Sequence, residues 1–171
     1  MLVTAPRAAA ALDKMQRKWA ATILGCRDVR GISWHVQTAQ CGWEMKLSTK
    51  VKEAAIVARA RLYLLPQSHP TAKLFEQAKK VGAWNWEREV HKIMQAADLP
   101  TPVPEIWEHT AITVEDIERA RHSAEERRNI LRHYRWYAVR PILRESDQKA
   151  YLKVASKELH DFGMTDRKSV V

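Results

Sequence analysis

From Gly42 to Pro66 the chain reads Gly-Trp-Glu-Met-Lys-Leu-Ser-Thr-Lys-Val-Lys-Glu-Ala-Ala-Ile-Val-Ala-Arg-Ala-Arg-Leu-Tyr-Leu-Leu-Pro. Leu47, Val51, Ala54, Ala58, Leu62 and Leu65 fall at three- and four-residue steps, the period of one face of an α-helix. Ala55, Ile56, Val57, Tyr63 and Leu64 widen that stripe around most of the girth. A helix of this kind needs neighbours on several sides. Charge survives along it only at Lys50, Lys52, Glu53, Arg59 and Arg61. Ser48 or Thr49 can cap its start, and Pro66 stops its end, because the residue before a proline is pushed out of helical geometry. The rest of the chain is therefore expected to pack around this segment.

Helical neighbours suit it better than strands. Only 5 Gly occur in 171 residues, so few tight hairpin turns are available. Residues 8–24 place Leu12, Met15, Trp19 and Ile23 on one stripe, with Asp13, Lys14, Arg17 and Lys18 facing away and Gly25 as a left-handed C-terminal cap. Residues 33–39 read as a short helix after a loop, although Ile32, Trp34 and Val36 alternate with Ser33 and His35 as in a strand. Residues 71–81 give another short helix, with Leu74, Phe75, Ala78 and Val81 inward and Gly82 ending it. Asn85 caps residues 86–97, where Glu87 and Glu89 favour the helix start and Val90, Ile93, Met94 and Ala97 face inward.

Pro100, Pro102 and Pro104 exclude both helix and central strand, so residues 100–112 form an extended connector, pinned by Ile106 and Trp107. Thr113 and Asp116 have the spacing of a capping box. They open a long helix over 114–139, with Ile117, Ala120, Ala124, Leu131, Tyr134 and Ala138 inward and Pro141 as its breaker. A last helix over 147–161 uses Tyr151, Val154, Ala155 and Leu159, followed by Phe162 and a cap at Gly163. The expected architecture is all-α: an irregular bundle of five or six helices, with 8–24 and 48–65 as the central pair. Residues 1–99 make the main module, 113–163 an appended helical hairpin and 164–171 a frayed tail. Trp19 and Trp43, flanking the central helix, are expected in the core, where large rings contribute most contact area.

The formal net charge is +9, which favours polyanionic partners. Residues 128–140 concentrate that charge among rings: Arg128, Arg132, His133, Arg135, Trp136, Tyr137 and Arg140. Guanidinium groups contact phosphates in pairs, and aromatic rings stack on unpaired bases. Alternatively, Tyr134 and Tyr137 belong to the core and the arginine stems only cover apolar surface. Lys14, Arg17 and Lys18, with Lys79 and Lys80, offer a second basic patch.

Other chemistries find little support. Cys26, His35, Cys41 and His69 lack the close ligand pair that zinc sites show, so no metal is implied. The 2 Cys do not form a disulfide framework. His91, His109, His122, His133 and His160 are scattered, and Glu125 and Glu126 beside Arg127 and Arg128 read as a solvated charged face. No G-x-S-x-G, H-E-x-x-H or P-loop pattern occurs, and neither a cofactor nor a small-molecule substrate is implied. No signal peptide or membrane-spanning run is present, which suggests an intracellular protein, nuclear or cytoplasmic.

Leu12 to Trp19 followed by Ile23-Leu24-Gly25 resembles the pattern L-x-x-x-Q-x-x-x-x-x-x-I-L-G found just after the polymerase core of non-LTR (LINE-type) retrotransposon reverse transcriptases. Gly42-Trp43, Arg59-Ala60-Arg61-Leu62, Leu65-Pro66, His69-Pro70 and the segment from Trp86 through Glu89-Val90 to Leu99-Pro100 are similar to it as well. The resemblance covers roughly residues 1–100. That family has RNA-directed DNA polymerase activity, but its [FY]-x-D-D carboxylate pair and its terminal C-x2-C knuckle are absent. Two-metal phosphoryl transfer requires such carboxylates. The resemblance therefore implies a non-catalytic helical module that supports RNA or single-stranded DNA binding, beside the rest of a reverse transcriptase polypeptide. The competing expectation is a structural or protein-interaction remnant with no nucleic-acid role. A sequence-specific DNA-binding protein fits less well, because residues 25–43 are too long for the turn before a recognition helix.

Overall fold

Pro6 pre-sets a helical φ where its missing N–H costs nothing, and α1 (Pro6–Ile23) starts there. In the computed structural model, residues 5–25, 40–81, 85–99 and 112–161 are described, with the backbone alone for residues 151 and 154–161. Every regular element among them is helical. The others are α2 (Leu47–Tyr63), α3 (Pro70–Lys79), α4 (Trp86–Ala96), α5 (Val114–His122), α6 (Ala124–Tyr134), a π-helical turn (Arg135–Val139) and α7 (Arg140–Asp161). The expected short helix at 33–39, the prolines of the connector, the cap at Gly163 and the tail lie outside the described residues.

α2 is central: it packs against α1, α3, α4, α6, the π-turn and α7. Its rotation differs from the one its apolar stripe suggests. Ser48, Thr49, Glu53, Ala55, Ile56, Arg59 and Ala60 are buried, whereas Ala54 and Ala58 are exposed. The stripe runs nearly all round, so apolarity alone does not fix which face turns inward, and polar partners decide it.

Those partners gather at the N-terminus of α2. Ser48 and Thr49 do not cap it; Lys46 holds the cap position and its side chain makes no cap hydrogen bond. Acceptors come instead from distant helices. Leu47 N donates to Gln16 Oε1 (2.7 Å) and Ser48 N to Asp13 Oδ1 (3.1 Å). The Ser48 hydroxyl donates to Asp13 Oδ2 (2.9 Å), the Thr49 hydroxyl to Asp147 Oδ1 (2.9 Å) and Lys46 N to Asp147 Oδ2 (3.4 Å). Gln16 Nε2 closes the set on Met45 O (3.2 Å).

This arrangement also turns α1. Gln16 and Ala20 face the bundle, and Gly25 takes the expected left-handed conformation (φ +64°). Met15, Trp19 and Ile23, expected inward, are 38%, 48% and 61% exposed. The helix has rotated to aim Asp13 and Gln16 at α2, leaving its apolar stripe beside the contact. Trp43 is half-buried. In α3, Phe75 and Ala72 are buried, while Leu74 and Ala78 are exposed, as is Val81 just beyond its end.

α4 matches its sequence closely, and α5 starts where its sequence places it. Asn85 accepts from Glu87 N and Arg88 N, and Val90, Ile93 and Met94 are buried. Thr113 and Asp116 form the capping box. The backbone N–H of Thr113, its hydroxyl and Arg119 hold the Asp116 carboxyl below its ordinary range.

The helix expected to run from 114 to 139 instead breaks at Ser123, whose extended backbone (φ −120°, ψ 123°) separates α5 from α6. Ser123 caps α6 through its hydroxyl, which accepts from Glu126 N. Pro141 does not break the chain, because the π-turn precedes it and Arg140 N reaches back to Arg135 O. The five-residue return loosens the helix where the proline ring would collide and its N–H is missing. α7 therefore begins at Arg140, not near Asp147. The segments expected as an appended hairpin share one apolar cluster with α2 and α4: Ala120, Ile130, Tyr134, Val139 and Leu143 join Met45, Ile56, Leu64, Val90 and Met94.

Asp13→Ala removes two hydrogen bonds at a helix N-terminus and should lower stability by about 2 kcal/mol in urea unfolding. A change near zero would show that α2 starts without outside help. A lowered carboxyl pKa keeps the capping box intact above the ordinary value and releases it only as pH falls through the lowered one. The Thr113 amide resonance should therefore titrate with a midpoint below 3.8, the reference value for that carboxyl.

Candidate nucleic-acid interface

The core positions of α6, the π-turn and α7 are Ile130, Tyr134, Val139 and Leu143. Their spacing is four, five, four, and the five-residue step is the π-turn. It moves the inward position from Ala138 to Val139, which is fully buried. Trp136 and Tyr137 are left on the outside, 49% and 71% exposed. Burial pushes the Tyr134 hydroxyl pKa upward, against the Arg59 charge, so this ring stays neutral in the core.

Glu53 of α2 is buried and organises the cations above it. Arg140 binds both of its oxygens, Nε to Oε2 at 3.2 Å and Nη2 to Oε1 at 3.0 Å. Arg140 Nη1 reaches Glu44 Oε2 at 3.3 Å, and its guanidinium carbon lies 3.9 Å from the Trp136 ring centroid. Arg135 Nε is also 3.0 Å from Glu53 Oε1. These two arginines, expected as phosphate ligands, are thus already committed: Arg140 fully and Arg135 in part.

Arg127 serves the fold. Its Nη1 donates to Leu64 O, Ala120 O and Arg121 O, placing a cation against the C-terminal ends of α2 and α5. Across α2, Arg59 is buried against Glu87 (Nη2 to Oε1, 2.7 Å) beside the Tyr63 ring. Lys79 lies over the Tyr63 and Phe75 rings; burial opposes its charge, but Glu76 and Tyr63 outweigh that and raise its pKa. Lys79 therefore turns toward the protein rather than forming an open patch with Lys80.

What remains is a groove of about 650 Å³ lined by Arg61, Arg127, Arg128, Arg132, Arg135 and Trp136 among others, with no carboxylate in its walls. Arg61, Arg128 and Arg132 are exposed and make no ion pair among the described residues. A second groove of about 470 Å³ joins Asn129, Arg132, His133, Trp136 and Tyr137. A third, of about 280 Å³, runs past Trp136, Arg140, Arg144 and Glu145. Lys14, Arg17 and Lys18 are exposed on α1 and line none of the three.

The structure thus brings Arg128, Arg132, Arg135 and Trp136 together and leaves the α1 cations apart. It adds Arg61, which the sequence hid on a helix read by its apolar stripe. Among the described residues no cluster of three or more His, Cys, Asp or Glu is placed to hold a metal ion; Cys26 and His35 lie outside them. No described helix is long and apolar enough to cross a membrane. The chain matches no protein-family model, no curated protein and no solved structure.

Glu53→Gln keeps the volume but removes the charge that two arginines share. It should cost about 2 kcal/mol, because bonds to charged groups are the stronger ones and both cations retain some solvent. Chemical unfolding measures the loss, and a cost below about 0.5 kcal/mol would remove Glu53 from its organising role.

Proposed function

We propose that this chain is a non-catalytic helical module that binds RNA or single-stranded DNA through the groove of Arg61, Arg128 and Arg132. One observation carries the reading: three exposed guanidinium groups converge on a concavity with no carboxylate in its walls. Uncompensated cations at a groove are suited to a polyanion, and phosphate contacts dominate such affinity. The net charge of +9 and the resemblance to the post-polymerase region of non-LTR retrotransposon reverse transcriptases support it. The absent carboxylate pair speaks for a supporting role beside a polymerase.

A protein-interaction role is the second reading, favoured by the exposed stripe of Met15, Trp19 and Ile23 on α1. It requires no affinity for nucleic acid.

Binding of labelled RNA should weaken steeply with salt, with a log-log slope of about −0.7 per phosphate neutralised. Replacing Arg61, Arg128 and Arg132 together by alanine should remove about two units of that slope. Arg135→Ala should move it less than any one of the three, because Arg135 already faces Glu53. Absence of binding at low salt would favour the interaction reading. Equal slopes for wild type and triple variant would move the nucleic-acid site elsewhere.

A further inference from the structure

Trp136 borders all three grooves. One face of its ring is covered by the Arg140 guanidinium at 3.9 Å, yet the residue remains 49% exposed. Arg140 is itself held by Glu53 and Glu44, so the ring is braced from behind rather than free to collapse onto the surface. Tyr137, 71% exposed, continues the aromatic surface, with the His133 ring 4.5 Å from its own. Arg132 lies one helical turn before Trp136 and lines two of the grooves beside it.

Resting on the nucleic-acid reading above, we propose that Trp136 is a stacking platform for an unpaired base. The neighbouring backbone phosphate is held by Arg132, with Arg128 along the same groove, and the site selects single strands over duplexes. The chemistry of the surroundings chooses this occupant. A purely apolar partner would bury Arg128 and Arg132 without counter-charge, which is costly. A duplex offers phosphates, but its bases are stacked inside and cannot reach an isolated ring. A single strand supplies both an anion and a free π-face, and stacking on an aromatic side chain tolerates any base. The preset ring lowers the ordering cost of binding.

The full chain is titrated at fixed low salt with a labelled oligothymidylate, the same strand with abasic sugars, a duplex of equal length and an oligoglutamate peptide. The wild type should bind the base-bearing strand about tenfold tighter than the abasic strand, as expected for one stacked base. Trp136→Ala should abolish that difference while leaving abasic and duplex affinities within about twofold. Trp136→Phe should keep most of it, and circular dichroism of both variants confirms folding. Equal weakening of Trp136→Ala on base-bearing and abasic strands, or a wild-type preference for duplex, overturns the stacking role while phosphate binding stands. Preference for oligoglutamate, unaffected by Trp136→Ala, replaces it with an acidic-peptide site. No salt-sensitive binding to any nucleic acid overturns both this inference and the function on which it rests.

Discussion

The N-terminus of α2 presents backbone N–H groups and a positive dipole end that its own sequence does not satisfy, and the bundle is arranged around answering them. Asp13 and Gln16 reach it from α1, and Asp147 reaches it from α7. The bonded residues are separated by up to 101 positions. A carboxylate at this end is favoured by the dipole as well as by hydrogen bonding, so both helices are drawn to one point. At the other end Arg127 supplies a cation to the Leu64 carbonyl. α2 is thus fixed at each end by charges of the matching sign from other helices. Its flanks carry the buried Glu53 and Arg59, each paired across to a different neighbour.

The legibility of the sequence follows from this. Helices that satisfy themselves locally were readable: Asn85 and Thr113 cap their own starts, and the stripe of α4 is narrow enough to define one inward face. The all-α class followed from the same signals. α1 and α2 were readable as helices but not in rotation. In α1, the cost of leaving the α2 N–H groups unmet outweighs exposing Met15 and Trp19, and periodicity weighs only the second. In α2, two charged residues look like surface markers until their partners on α4 and α7 are known. The break at Ser123 is a local choice, a serine acting as cap in place of helix interior, and Glu126 three residues later was its visible signal.

The candidate site was legible in composition and not in availability. Residues 128–140 announce arginines among rings, but the sequence does not say which cations are already neutralised. The π-turn decides much of this. Its extra residue keeps Val139 and Leu143 in register with Ile130 and Tyr134, turns Trp136 outward and sets Arg140 over Glu53. Single π-turns inside α-helices are rare and are found frequently at functional sites. Pro141 is compatible with it and incompatible with an uninterrupted α-helix, so the residue that looked like a terminator is the reason for the local geometry.

The separation of the arginines held by the fold from those left exposed at the groove is then an energetic one. To take a phosphate, Arg140 would have to release a two-point bond to a carboxylate that is 4% exposed, leaving that buried charge to Arg135 Nε alone. That loss, up to about 2 kcal/mol, exceeds what one surface phosphate contact returns. Arg128 and Arg132 have no such bond to surrender among the described residues, and neither does Arg61. A polyanion of the kind proposed would therefore meet cations already exposed, at a groove bordered by a tryptophan that lies against the Glu53-bound Arg140. The same Glu53 that anchors the core to α2 makes Arg140 unavailable as a ligand and useful as a brace, which is how packing and the proposed recognition come to share one residue.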